Sequence, residues 1–163
     1  MLPLWSDQLQ IVLTPERVTI TRLNSSVLGG SFKPREVLSN TMPCAALEHG
    51  EHAWQPALRA LQALLKQKDI RNTSATVLLS NHFVRYQLIS AQPDLSGHDE
   101  EQAFVRFSFA EIYGDEVNRW QLRWGSGLQL SPQVASAIDN TLIEQIESML
   151  VVAGIKLNSL QHT

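Results

Sequence analysis

A chain of 163 residues that is 44% hydrophobic and 18% charged has enough apolar surface for one folded domain with its own core. Its formal net charge is −3, and its 13 Lys and Arg residues are scattered without a run, which argues against a nucleic-acid-binding surface, since those concentrate basic side chains. No apolar stretch approaches the ~20 residues of a membrane span, Met1 to Trp5 has no basic residue and Asp7 and Gln8 cut its apolar run so that no signal peptide is expected, and a lone Cys44 cannot close an internal disulfide, so a reducing, cytoplasmic setting is expected.

The first half reads as a strand meander followed by a helix. Residues 9–13 are an apolar run, Thr14-Pro15-Glu16-Arg17 is a turn with proline early in it, and residues 18–23 alternate with many β-branched types. Together they predict a β-hairpin. Residues 24–33 read as a loop centred on Gly29-Gly30, Pro34 leads into a third strand at 36–42, and Pro43 ends it. Trp5 is expected to anchor the terminal segment against the sheet. Trp54, Ala57, Leu58, Leu61, Leu64 and Leu65 make one apolar stripe, which predicts a helix over 51–68. Pro56 is tolerated in its first turn, and Lys66 and Lys68 suit the negative end of the helix dipole.

The second half alternates helix and strand. Residues 74–80 hold the continuous apolar run of a buried strand, and 83–89 continue as an extended piece in which Phe83, Val84 and Tyr86 are expected to pack. Pro93 to Gly97 form a loop. A helix over 98–113 is predicted from Asp99, Glu100 and Glu101 at its start and Gly114 as its C-terminal cap, with Phe104, Phe107, Ala110 and Ala103 as the buried face. Residues 120–124 form a strand with Trp120, Leu122 and Trp124 on one face, broken by Gly125-Ser126-Gly127. Ser131 and Pro132 read as the start of a helix that runs through Val134, Ile138, Leu142, Ile146, Met149 and Leu150 to Gly154. Residues 155–160 close the domain as a strand. The order β-β-β-α-β-(β)-α-β-α-β implies an α/β fold, a mixed sheet flanked by helices, as in the ribonuclease H-like subdomain of actin-like ATPases.

Little in this chain has the makings of catalysis. An actin-like phosphate site needs an Asp and a Gly in the first hairpin turn, and Thr14-Pro15-Glu16-Arg17 has neither, while Pro15 removes a donor. Glu16 reads as a solvated turn residue. Gly29-Gly30 has no helix start behind it and is not a P-loop. Nucleotide hydrolysis, and with it ATP and Mg as cofactors, is therefore not expected; weak nucleotide binding or ATPase descent is the alternative. His49 and His52 flank a loop with no third ligand, so a solvated pair is expected and no metal site. Ser80, His82 and Asp94 or Asp99 could supply a hydrolase, but no nucleophile elbow surrounds any serine. Trp120 and Trp124 are expected to pack on the sheet and Cys44 to be a buried, inert thiol. Glu36 is the sole acidic residue inside a predicted strand, too few for a metal-dependent nuclease or ATPase.

Two strings carry a family resemblance. Leu79-Ser80-Asn81-His82-Phe83-Val84-Arg85-Tyr86 and the pair of segments 135–143 and 154–161 resemble bacterial proteins of the PilM/MshI type, actin-like proteins of type IV pilus and MSHA-type agglutinin biogenesis. These are similar in fold to the cytoplasmic domain of GspL and to FtsA. The resemblance implies a non-catalytic scaffold on the cytoplasmic side of the inner membrane, docking the tail of a PilN-type membrane protein, with no nucleic acid and no membrane insertion. Within the first string, Asn81, His82 and Arg85 are the candidate partner contacts. It also implies that the chain is a single actin-like domain, 1–163, equivalent to the N-terminal half of a longer protein or a short form of it.

Overall fold

The computed structural model describes residues 8–28, 31–67, 70 and 73–162, with the backbone alone for 24–28 and 31–37. It divides into two compact units, one built from the described residues up to Phe83 and from Glu144 onward, the other from Val84–Ile143. The expected roles of Trp5, Gly29-Gly30 and Lys68 lie outside the described residues.

The first unit is a five-stranded mixed sheet. Strands β1 (Gln8–Leu13), β2 (Arg17–Leu28), β3 (Ser31–Pro43), β4 (Thr73–Leu79) and β8 (Ile155–His162) are ordered β3-β2-β1-β4-β8. β1 pairs antiparallel with β2 but parallel with β4, and β4 parallel with β8. That meander with parallel neighbours is the ribonuclease H-like arrangement the element order predicts. Alternation sets the faces. Ile11 lies opposite Ile20 on one side and Val77 on the other, and all three are buried. Thr19 with Thr41 and Thr21 with Ser39 join hydroxyls across β2 and β3. Helix α1 (Gln55–Lys66) contacts β2 and β3 and buries Ala57, Leu58, Leu61, Leu64 and Leu65. Each leucine buried contributes roughly 1.5–3 kcal/mol.

Three boundaries differ from expectation. α1 starts at Gln55 rather than 51, because Pro56 fits only the first helical turn and the preceding residues form their own turns: the Glu51 amide donates to the Glu48 carbonyl and the Gln55 amide to that of His52. The loop expected over 24–33 is mostly strand: Asn24 pairs with Arg35 and Leu28 with Ser31, after a register shift at Arg22/Leu23. The extended piece expected over 83–89 is broken by a 3-10 turn at Asn81–Phe83, so β5 begins at Arg85.

The second unit is an antiparallel sheet of β5 (Arg85–Ile89), β7 (Gln133–Asp139) and β6 (Trp120–Trp124), with β7 central, and one helix, α2 (His98–Tyr113). Its core joins Ile89, Val105, Phe109, Val117, Trp120, Leu128, Ala135 and Ala137. Trp120, Leu122 and Trp124 pack toward this core as expected. The face of α2 does not follow expectation. Val105 and Phe109 are the buried residues, Phe104 and Ala110 pack at the margin, and Phe107 is 61% exposed, with Ala103 exposed too. Gly114, at φ 64°, ends the helix with its amide on the Ala110 carbonyl, in a conformation that suits glycine.

The largest correction is β7. The helix expected from Ser131 begins only at Asn140: α3 is Asn140–Val152, and residues 133–139 are a strand. Val134 and Ile138 are four apart, a spacing common to a helical turn and to two strand repeats, so it cannot distinguish them. The start is set by Asp139, whose carboxylate accepts the Thr141 amide at 2.8 Å, whereas Ser131 accepts only the Gln133 side chain.

Candidate functional site

The carboxyl ends of β1 and β4 are neighbours, because the parallel register sets Leu13 beside Leu79. Such ends are where open α/β sheets gather ligands. The Ser80 amide donates to the Leu13 carbonyl at 2.9 Å, which holds the Thr14–Arg17 turn against the 3-10 turn carrying Asn81 and His82. Cys44, just past β3, joins them: its amide donates to the Glu16 carbonyl at 2.8 Å and its thiol to the Thr14 carbonyl at 3.6 Å. Partial burial pushes the Cys44 thiol above its ordinary value, which disfavours the nucleophilic thiolate.

The hairpin turn uses all but one of its own main-chain donors. The Thr14 amide and hydroxyl both donate to the Arg17 carbonyl, at 3.1 and 2.9 Å, and the Arg17 amide donates back to the Thr14 hydroxyl at 3.1 Å. Pro15 has no N–H. Among the described residues, the Glu16 amide is the single main-chain donor of this turn left without a partner. A phosphate cradle needs several amides converging on one point. This turn by itself presents one such amide.

Ser80 and His82 also act locally. Ser80 Oγ and His82 Nδ1 are hydrogen-bonded at 3.0 Å, and the same hydroxyl accepts the His82 amide at 3.4 Å, while the Phe83 amide donates to the Ser80 carbonyl. The hydroxyl thus closes the 3-10 turn, a common use of serine after a strand. Of the carboxylates weighed for a hydrolase, Asp94 lies in a turn of the second unit and Asp99 in the first turn of α2.

The other candidates separate. Asn81 and His82 are exposed beside the hairpin turn, whereas Arg85 is exposed at the start of β5, in the second unit. Phe83 and Val84 are buried as expected, but Tyr86 is 41% exposed. His52 stacks face to face on Trp54 at 5.1 Å and leaves His49 in the loop. Among the described residues no three His, Cys, Asp or Glu side chains are grouped to hold a metal ion. Asp139 lies in a strand, so Glu36 is not the sole acidic strand residue; its carboxylate is spent on the α3 start. The contribution of Cys44 to this site was not legible, because nothing in its flanking Pro43 and Ala45 signals the loop that brings it to the hairpin.

No family model matches the chain, and no curated protein matches it. Solved structures do. The cytoplasmic domain of EpsL, an inner-membrane component of the type II secretion system of Vibrio cholerae, superimposes with a TM-score of 0.64 over 96% of this chain and 57% of its own, at 13% identity. A PilM–PilN type IV pilus biogenesis complex gives 0.61 over 94% of this chain and 46% of its own, at 19% identity. The chain thus spans about half the length of each. At these identities the likeness shows the fold alone, an α/β fold shared with both structures. No helix among the described residues is long and apolar enough to cross a membrane.

Proposed function

We propose that this protein is a non-catalytic scaffold of a type IV pilus, MSHA-like pilus or type II secretion machine, held in the cytoplasm at the inner face of the membrane. Its partner is the cytoplasmic tail of a PilN-type inner-membrane protein, for which Asn81 and His82 in the first unit and Arg85 in the second are separate candidate contacts. The observation that carries the non-catalytic reading is the self-satisfied hairpin turn, with Thr14 and Arg17 bonded to each other and Pro15 lacking a donor. The likeness to the EpsL cytoplasmic domain and to PilM–PilN supports the choice of machinery.

Isothermal calorimetry tests both parts. A synthetic cytoplasmic tail of a PilN-type protein is expected to bind, and the triple substitution of Asn81, His82 and Arg85 by alanine to weaken it at least tenfold. Mg-ATP is expected to give no saturable heat. Micromolar Mg-ATP binding would overturn the scaffold reading in favour of a nucleotide-binding protein of actin-like descent.

A further inference from the structure

Unit one has a second concave surface, away from the strand ends. Between α1 and α3 lies a groove of about 510 Å³, within the roughly 300–1,000 Å³ of cavities that bury small apolar groups. Leu65 and Met149 are its apolar lining, Gln62 and Gln145 its polar walls, and Val152 stands beside them 87% exposed. On α3, Gln145, Met149 and Val152 repeat at helical spacing and present one stripe about two turns long, ~10 Å at 1.5 Å per residue. Lys66 is the single charged residue lining the groove; it makes no hydrogen bond or ion pair among the described residues, and no acidic residue lines the groove.

We propose that this groove docks one short amphipathic helix of another protein, whose apolar face enters between Leu65 and Met149 and whose flanking carboxylate meets Lys66. The two-turn length matches the i, i+3, i+4 anchors of helix-in-groove recognition. The charge is complementary to an acidic flank alone. A second copy of this chain fits poorly: a two-fold contact through the groove would oppose concave to concave and set Lys66 against Lys66. The surface is separate from the one assigned to the membrane protein's tail, and either reading can fail without the other.

The probes are two synthetic helical peptides with the same leucine face, one flanked by glutamate and one by lysine, titrated into the isotope-labelled full chain and followed by amide NMR shifts. The glutamate peptide is expected to move the resonances of Leu65, Met149 and Val152 and to bind about fivefold more tightly than the lysine peptide, the scale of an exposed ion pair. Lys66→Glu is expected to invert that order and Val152→Gln to weaken both peptides; both side chains are exposed, so neither change touches the core. Shifts centred outside the groove, equal affinity for the two peptides, or no binding of either would overturn the proposal. So would concentration-dependent dimerisation that Val152→Gln abolishes, which would assign the groove to a second copy.

Discussion

The two compact units solve the same packing problem with different materials. The first buries branched aliphatic side chains, Leu9, Ile11, Leu13, Val77 and Leu79, in a sheet assembled from both ends of the chain. The second is continuous in sequence and mixes large rings with small residues: Phe109 and Trp120 share one core with Ala135 and Ala137. Tyr113 joins them, stacked on Phe109 at 6.2 Å and edge-on to Trp120 at 5.1 Å. Parallel pairing of β1 with β4 and β4 with β8 spreads stability over many moderate contacts, whereas the smaller antiparallel unit concentrates it in a few large side chains. Ala135 and Ala137 are buried between β5 and β6 although neither is strongly hydrophobic, so β7 is recognisable by its neighbours, not by its own hydrophobicity.

That contrast can be broken most directly at Phe109. Phe109→Ala removes the largest fully buried side chain of the second unit and is expected to cost about 3–5 kcal/mol. Chemical denaturation followed by tryptophan fluorescence would read it, since Trp120 and Trp124 report on that core. A loss below about 1 kcal/mol would mean that the aromatic cluster does not concentrate stability as described.

A smaller effect sharpens the boundary between strand and helix. Asp139→Ala is expected to cost ~1 kcal/mol by freeing the Thr141 amide, and Asp139→Asn to recover most of it. Ser131→Ala is expected to be neutral within about 0.5 kcal/mol, as surface changes usually are. The reverse ranking would restore the longer helix that the sequence pattern suggests.

The smallest effect concerns acid. The backbone amide and hydroxyl of Ser96, donating at 2.8 and 3.1 Å, hold the Glu100 carboxyl below its ordinary value. A depressed carboxyl stabilises the folded state above its unfolded pKa and loses that contribution as the pH falls through the folded value. The entry to α2 is therefore expected to loosen on acidification below the ordinary carboxylate range. In Glu100→Gln that pH dependence should be reduced, as measured by amide exchange of residues 97–101. Glu51, drawn down by the Arg59 guanidinium, obeys the same sign at the start of α1.

Legibility followed the range of the forces involved. The hairpin, α1, α2 and the strand of Trp120 were readable because their signals are local: a turn proline, an apolar stripe, acidic residues at a helix start, a glycine at its end. The same local reading misjudged the face of α2, because Phe104 and Phe107 are as hydrophobic as Phe109 and only tertiary packing selects which ring is buried. At the candidate site, the lack of Asp and Gly in Thr14-Pro15-Glu16-Arg17 was visible in the sequence. The arrival of Cys44 was not, since it depends on β3 returning beside the turn.

The sequence by itself determined the element types wherever their periods differ, the aliphatic stripe of α1, and that the first turn carries neither Asp nor Gly. Tertiary structure decided the rest. It selected strand over helix for residues 133–139, where a spacing of four satisfies both periods and only pairing with β5 and β6 breaks the tie. It brought Leu13 beside Leu79, and Thr73 beside Ile155, across long separations in the chain. Parallel pairing has no local signature, because its hydrogen bonds join residues that share no turn.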